Sequence, residues 1–207
     1  RVVEARNISD LGLPPWTQGD VDFMAGMIHH HAQALQMTAL IDDRSRSPGV
    51  RQMGLRMEIS QRDEIRLMQN WLAERDQEVP DVVLEKGPDQ GRMSHAGMDH
   101  AGMDHADMGR SATSGMGGDM PGGLMEMPGM LSAEQMQALR AAEGDAFDAL
   151  FLEYMIQHHT GAIAMVHELF ATPGAGQDSK VFQFADDVEA DQLAEIDRMQ
   201  MLLQRYR

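Results

Sequence analysis

Two stretches of this chain carry the same residues at the same spacing. Asp20, Phe23, Met27, Ile28, His30, His31, Ala34 and Met37 recur in register as Asp148, Phe151, Met155, Ile156, His158, His159, Ala162 and Met165. A second matched block follows each: Gln61, Glu64, Ile65 and Met68 in the first half, Gln192, Glu195, Ile196 and Met199 in the second. Such recurrence points to one supersecondary unit built twice. Apolar residues within each block fall three, four and seven apart, the period of a helix with one buried face. Each copy is therefore predicted to be two helices joined by a turn. Two hairpins that each expose an apolar stripe bury it best against one another, so the expected fold is all-α: a four-helix bundle made of two duplicated helical hairpins.

Local punctuation agrees with that reading. Thr17 and Asp20 have the spacing of a capping box, with Asp in the place usually taken by Glu or Gln, and Ser47-Pro48 offers an N-cap followed by proline at the first helical position. Pro173-Gly174 ends one helix before another starts near Ser179. A short extra helix is predicted from Ser132 to Ala142, where Ser132 and Gln135 repeat the capping-box spacing and Gly144-Asp145 marks the break. Between residues 87 and 131 the composition shifts to Gly, Met, Asp and Pro, which reads as a flexible linker. The chain thus divides into a first hairpin over 1–86, a Met/His/Gly-rich linker over 87–131, and a second hairpin with its short extra helix over 132–207. With 207 residues, 43% of them hydrophobic, there is ample material for a core.

Charge narrows the function. Acidic residues outnumber basic ones by 33 to 17, a net charge of -16, so the surface field repels nucleic acid and favours cations. No apolar run approaches the roughly eighteen residues that span a bilayer. The chain starts at Arg1, and a leader removed before this point is expected. It has no cysteine and twenty methionines. Thioethers bind soft ions yet cannot form disulfides, a combination suited to handling a soft metal in an oxidising compartment.

The candidate ligands lie on the repeated helices. Met27, His30, Ala34 and Met37 share one helical face, as do Met155, His158, Ala162 and Met165, while His31 and His159 stand four residues after Met27 and Met155. On the partner helices the apolar stripe passes through Gln61 and Glu64, and through Gln192 and Glu195. A carboxylate on a buried stripe is costly unless it is paired, hydrogen-bonded or metal-bound, so Glu64 and Glu195 are expected to face the histidines. Imidazole with thioether favours copper, Cu(I) through sulfur and Cu(II) through nitrogen and carboxylate. Silver(I) would behave like Cu(I), and zinc would use His and Glu alone. The same residues also admit a purely structural reading, in which the His-His pairs and the Met stripe only pack the bundle.

The linker is harder to read as packing. Met93 and His95, Met98 and His100, and Met103 and His105 repeat a Met-x-His unit every five residues, with Met108 following. Evenly spaced His and Met in an exposed chain can close around an ion, and Asp99 and Asp104 add attracting charge. Capture of several ions with modest affinity is its expected role.

The pattern Asp-x-x-Phe, Met-Ile-x-His-His, Ala and Met, followed by Gln-x-x-Glu-Ile-x-x-Met, resembles the family known as domain of unknown function 305, over nearly all of residues 17–77 and 132–206. The resemblance implies a ferritin-like four-helix bundle exported by bacteria to the periplasm or beyond. It also implies kinship with periplasmic copper-binding proteins of copper resistance, with Met27, His30, His31, Met37, Met155, His158, His159 and Met165 as the positions carried over. His29 makes three consecutive histidines in the first copy where the second has Gln157. His29 is thus a further candidate, and the two copies need not bind alike.

The leading expectation is copper sequestration or delivery, with metal ions as partners and a second copy of the chain or a copper-transfer protein as further candidates. A copper-dependent ferritin-like oxidase and a structural or partner-binding bundle are the alternatives. No Glu stands three residues before a His, which disfavours di-iron chemistry, and no nucleophile triad or phosphate-binding loop is present. An enzyme is not predicted.

Overall fold

The structure, a computed structural model, describes residues 16–82 and 127–206 and is all-helical, with no strand among the described residues. Four helices are long: α1 (Gln18–Thr38), α3 (Pro48–Ala73), α5 (Gly144–Ala171) and α6 (Ser179–Leu203). Two are short, α2 (Ile41–Arg44) and α4 (Ala133–Ala141), and a 3-10 turn follows α6 at Gln204–Tyr206. The long helices pack α1 on α3, α5 on α6, and α1 on α5. None of the described helices is long and apolar enough to cross a membrane.

The helix starts follow side-chain chemistry. The Thr17 backbone N–H donates to Asp20 Oδ2 at 2.6 Å while the Asp20 N–H returns to the Thr17 hydroxyl, so the capping box closes with Asp at its last position. Ser132 and Gln135 close a second box. Ser47 caps α3 with Pro48 in its first turn. At α6 the cap is Asp178, whose carboxylate accepts from the Lys180 and Val181 N–H groups, and Ser179 becomes the first helical residue. Gly144 stands at φ +59° where the chain turns from α4 into α5. Helix α2 has no start or stop signal in the sequence. This single turn sits between α1 and α3 and carries Ile41 against bare backbone at Gly54, where any Cβ would collide with the isoleucine side chain.

The core is divided. One apolar cluster gathers Met24, Met27 and Ile28 with Ile65, Met68, Trp71, Met165, Val166, Val181 and Phe184. The other gathers Met37, Val50, Met57, Leu139, Phe147, Phe151, Met155, Met199 and Leu203. On each long helix the switch from one cluster to the other brackets the repeated polar residues: 30–31, 61–64, 158–159 and 192–195. A buried polar layer therefore crosses the middle of the molecule.

Candidate metal centre

Burying four imidazoles in mid-core is costly unless their nitrogens are used. His30, His31, His158 and His159 are all buried, none more than 1% exposed, and the rings of His30 and His158 lie 3.8 Å apart, centroid to centroid. His31 and His159 flank that pair at 6.5 Å from His30 and 6.3 Å from His158. The histidines of the two halves of the chain thus meet in one layer. Helices α1 and α5 run antiparallel there, since Gly26 faces Met165 while His30 faces His158.

The layer is held from outside by acceptors. Nε2–H of His31 donates to Glu64 Oε2 at 2.5 Å, and Nε2–H of His159 donates to Glu195 Oε2 at 2.6 Å, so each glutamate reaches across to the neighbouring helix as its place on the stripe predicts. Burial works against the Glu64 carboxylate, but the bonds from His31 and Ser60 outweigh it and hold its pKa below the usual range. Nε2 of His30 lies 3.0 Å from the carbonyl of Pro128. A carbonyl only accepts, so this nitrogen carries the proton and Nδ1 carries the lone pair. Burial first, and the neighbouring His31 second, push the His30 pKa down to about 3; burial also drives His158 well below its ordinary value. Both rings are neutral at physiological pH.

Several polar atoms of the layer have no well-formed hydrogen bond to protein: Nδ1 of His30, His31 and His159, both amide atoms of Gln61, Oε1 of Gln192, and both ring nitrogens of His158, whose ring lies near the His30 backbone. Each such orphan costs about 1–3 kcal/mol in a dry core. In His30, His31 and His159, with Nε2–H fixed on an acceptor, Nδ1 is the nitrogen left to ligate, the arrangement typical of metal-binding histidines.

Thioethers flank the layer on both sides. Met27 and Met165 belong to the apolar cluster on one side of it, Met37 and Met155 to the cluster on the other. Among the described residues, no group of three or more His, Asp or Glu side chains is placed to hold an ion by itself. The donors this layer and its flanks offer are imidazole nitrogen and thioether sulfur, a set that suits a soft, low-coordinate ion better than zinc. His29 is half-buried, with burial lowering its pKa, and shares no ring contact with the other four. Met93, His95, Met98, His100, Met103, His105 and Met108 lie outside the described residues.

One element of the site comes from outside the repeated helices. Residues Met127–Leu131, inside the predicted linker, lie across α1 and α5 as a strap. Gln33 donates to the Leu131 carbonyl at 3.0 Å and accepts from its N–H at 2.7 Å, and Gln157 donates to the carbonyls of Gly129 and Met130. The strap fits because Gly161 has no side chain: a Cβ there would strike the Pro128 carbonyl, the group that holds His30. At Gly129, φ +77°, a Cβ would lie 2.6 Å from the Gln157 carbonyl and 2.7 Å from Gly161 Cα. The only sequence signal was a glycine inside an otherwise continuous helix, which marks close backbone approach without saying by what.

Comparison with known proteins places this architecture. Residues 20–203 match the family described as domain of unknown function DUF305. The fold is similar to a crystal structure of a DUF305 fragment from Deinococcus radiodurans, 26% identical, with a TM-score of 0.66 over 93% of this chain and 99% of that one. It is also similar to a DUF305 protein from Streptomyces coelicolor described as a candidate secreted protein, 21% identical, with a TM-score of 0.63 over 91% and 93% of the two chains. A third similar structure is CopM in its Cu(I)-bound form, 21% identical, with a TM-score of 0.58 over 93% and 99%. No curated protein matches the chain by sequence.

Proposed function

The chain belongs to the DUF305 family, and we propose that it is an extracytoplasmic copper-binding protein that sequesters or delivers Cu(I), with the buried histidine layer as its tighter site. The observation that carries this is the set of neutral, buried imidazoles with ring nitrogens that no protein group uses, in a layer flanked by thioethers. Because the rings of His30 and His158 are already deprotonated, Cu(I) can bind them without displacing a proton. CopM, which has a similar fold, was captured with Cu(I), and the Streptomyces relative's description agrees with a place outside the cytoplasm. The packing of two hairpins is read as a ferritin-like four-helix bundle made by duplication, and the period-five Met/His segment as added capacity. Silver(I) is the expected surrogate, and the role is binding rather than catalysis.

Anaerobic Cu(I) titration against a colorimetric chelator tests this. Several equivalents should bind, and His158→Gln should remove the tightest class while the weaker ones persist. Binding no tighter than that of a His-bearing control peptide ends the proposal. A second reading is favoured by the His31–Glu64 and His159–Glu195 pairs, which account for two histidines as interhelical ties alone. If the layer is only structural, Cu(I) will leave the melting temperature unchanged. If it binds metal, Cu(I) will raise it, and His158→Gln will abolish the increment.

A further inference from the structure

The strap brings a sulfur to the histidine layer that the repeated motif does not contain. Met127 and Met165 converge on one point of α1, the bare backbone of Gly26. A Cβ at Gly26 would lie 3.6 Å from Met127 Sδ and 3.3 Å from Met165 Cε. Met127 comes from the strap and Met165 from α5, so three separate segments meet there. His30 stands one turn further along the same face of α1, with its Nε2 held by the carbonyl of Pro128, the residue after Met127, and its Nδ1 buried without a partner. His158, with neither ring nitrogen in a well-formed hydrogen bond to protein, lies against His30 on the inner side.

These groups are graded in exposure. Met127 is half-buried, Met165 is 8% exposed and His30 is fully buried. Two glycines keep the approach open, Gly26 for the methionine ends and Gly161 for the strap backbone. Met127 packs against the apolar cluster that contains Met165, and the two methionines meet over a glycine one turn from an imidazole with an unused lone pair.

We propose that Met127, Met165 and His30 form a mixed thioether–imidazole port for a soft monovalent cation, Cu(I) or Ag(I), at the seam between α1 and α5, through which the ion reaches His158. This rests on the copper-binding reading and assigns its entrance. Met127 Sδ is the first donor met from solvent, Met165 Sδ the second, and Nδ1 of His30 the handover to the inner ring.

The test uses the full chain with its methionine methyl groups carbon-13 labelled, titrated with Ag(I), a redox-inert surrogate for Cu(I), and followed by methyl and imidazole nuclear magnetic resonance. The Met127 and Met165 methyl signals should move together in a single saturating step. Met127→Leu, close in volume, should suppress the Met165 shift and weaken Ag(I) binding at His30 by roughly tenfold or more, the least that losing a ligand-supporting contact usually costs. Met165→Leu should do the same to Met127, which keeps the test open if one variant folds poorly, and Met57→Leu in the other apolar cluster should change neither signal. If the Met127 and Met165 signals stay fixed while imidazole signals shift, the port is wrong and the copper reading stands. Independent shifts of the two methionines, unaffected by each other's substitution, would also overturn the port. If no methyl or imidazole signal moves at saturation, both fall.

Discussion

At the scale of single residues, the site depends on what glycine leaves out. Gly161→Ala would push a Cβ into the Pro128 carbonyl, so the strap must lift or the helix must shift. Overpacking of this kind costs about 1–3 kcal/mol. Chemical denaturation should show that loss, and hydrogen exchange at residues 129–131 should accelerate as His30 loses its acceptor. Glu64 gives a second prediction. Glu64→Ala strands the His31 N–H in the core at about 1–3 kcal/mol, while Glu64→Gln keeps an acceptor and most of the stability. Cu(I) competition should find the alanine variant weakened by about 10- to 100-fold, the usual effect of losing a group that orients a ligand. The His–Glu pairing was legible in the sequence because helical spacing alone puts a carboxylate on the buried stripe. The bond from His30 to Pro128 was not, since a main-chain carbonyl has no signature in the residues that carry it, and the docking surface is an absent side chain elsewhere in the chain.

At the scale of elements, the starts of the helices were readable where a side chain does the capping. Thr17 and Ser132 close boxes with residues three positions on, and both boxes form. Thr17→Ala should cost about 1 kcal/mol, seen as a lower urea midpoint with fraying confined to the first turn of α1. Helix α2 leaves no local signature because its four residues lack glycine, proline or a side-chain cap. What fixes it is Ile41 entering the gap at Gly54, a tertiary contact. The strap is locally silent for a similar reason. Pro128 and Gly129 read as linker by composition, and what places the segment comes from distant positions: the amides of Gln33 and Gln157, the ring of His30 and the bare backbone of Gly161. Local chemistry is written locally, whereas docking is written in pairs of distant positions.

At the scale of the whole molecule, the buried layer makes stability depend on pH. His30 has a folded pKa of about 3 against an ordinary 6.5, and His158 is lowered in the same direction. Below pH 6.5 the unfolded chain takes up protons that the native rings refuse, so stability falls as the pH drops from 6.5 towards 3. Glu64, also lowered, adds in the same sense: its contribution is complete above its ordinary 4.5 and is lost as pH falls through the folded value. Urea midpoints of the metal-free protein should decline steadily from about pH 7 to about pH 5. A flat profile would mean that the native layer accepts those protons after all. The contact between His30 and His158 has one more consequence, because the two rings belong to opposite halves of the chain. On the proposed copper-binding role, an ion shared between them would be a clasp. Cut at an engineered protease site between Val82 and Met127, the protein becomes two fragments whose reassociation copper should strengthen, and which a chelator should release.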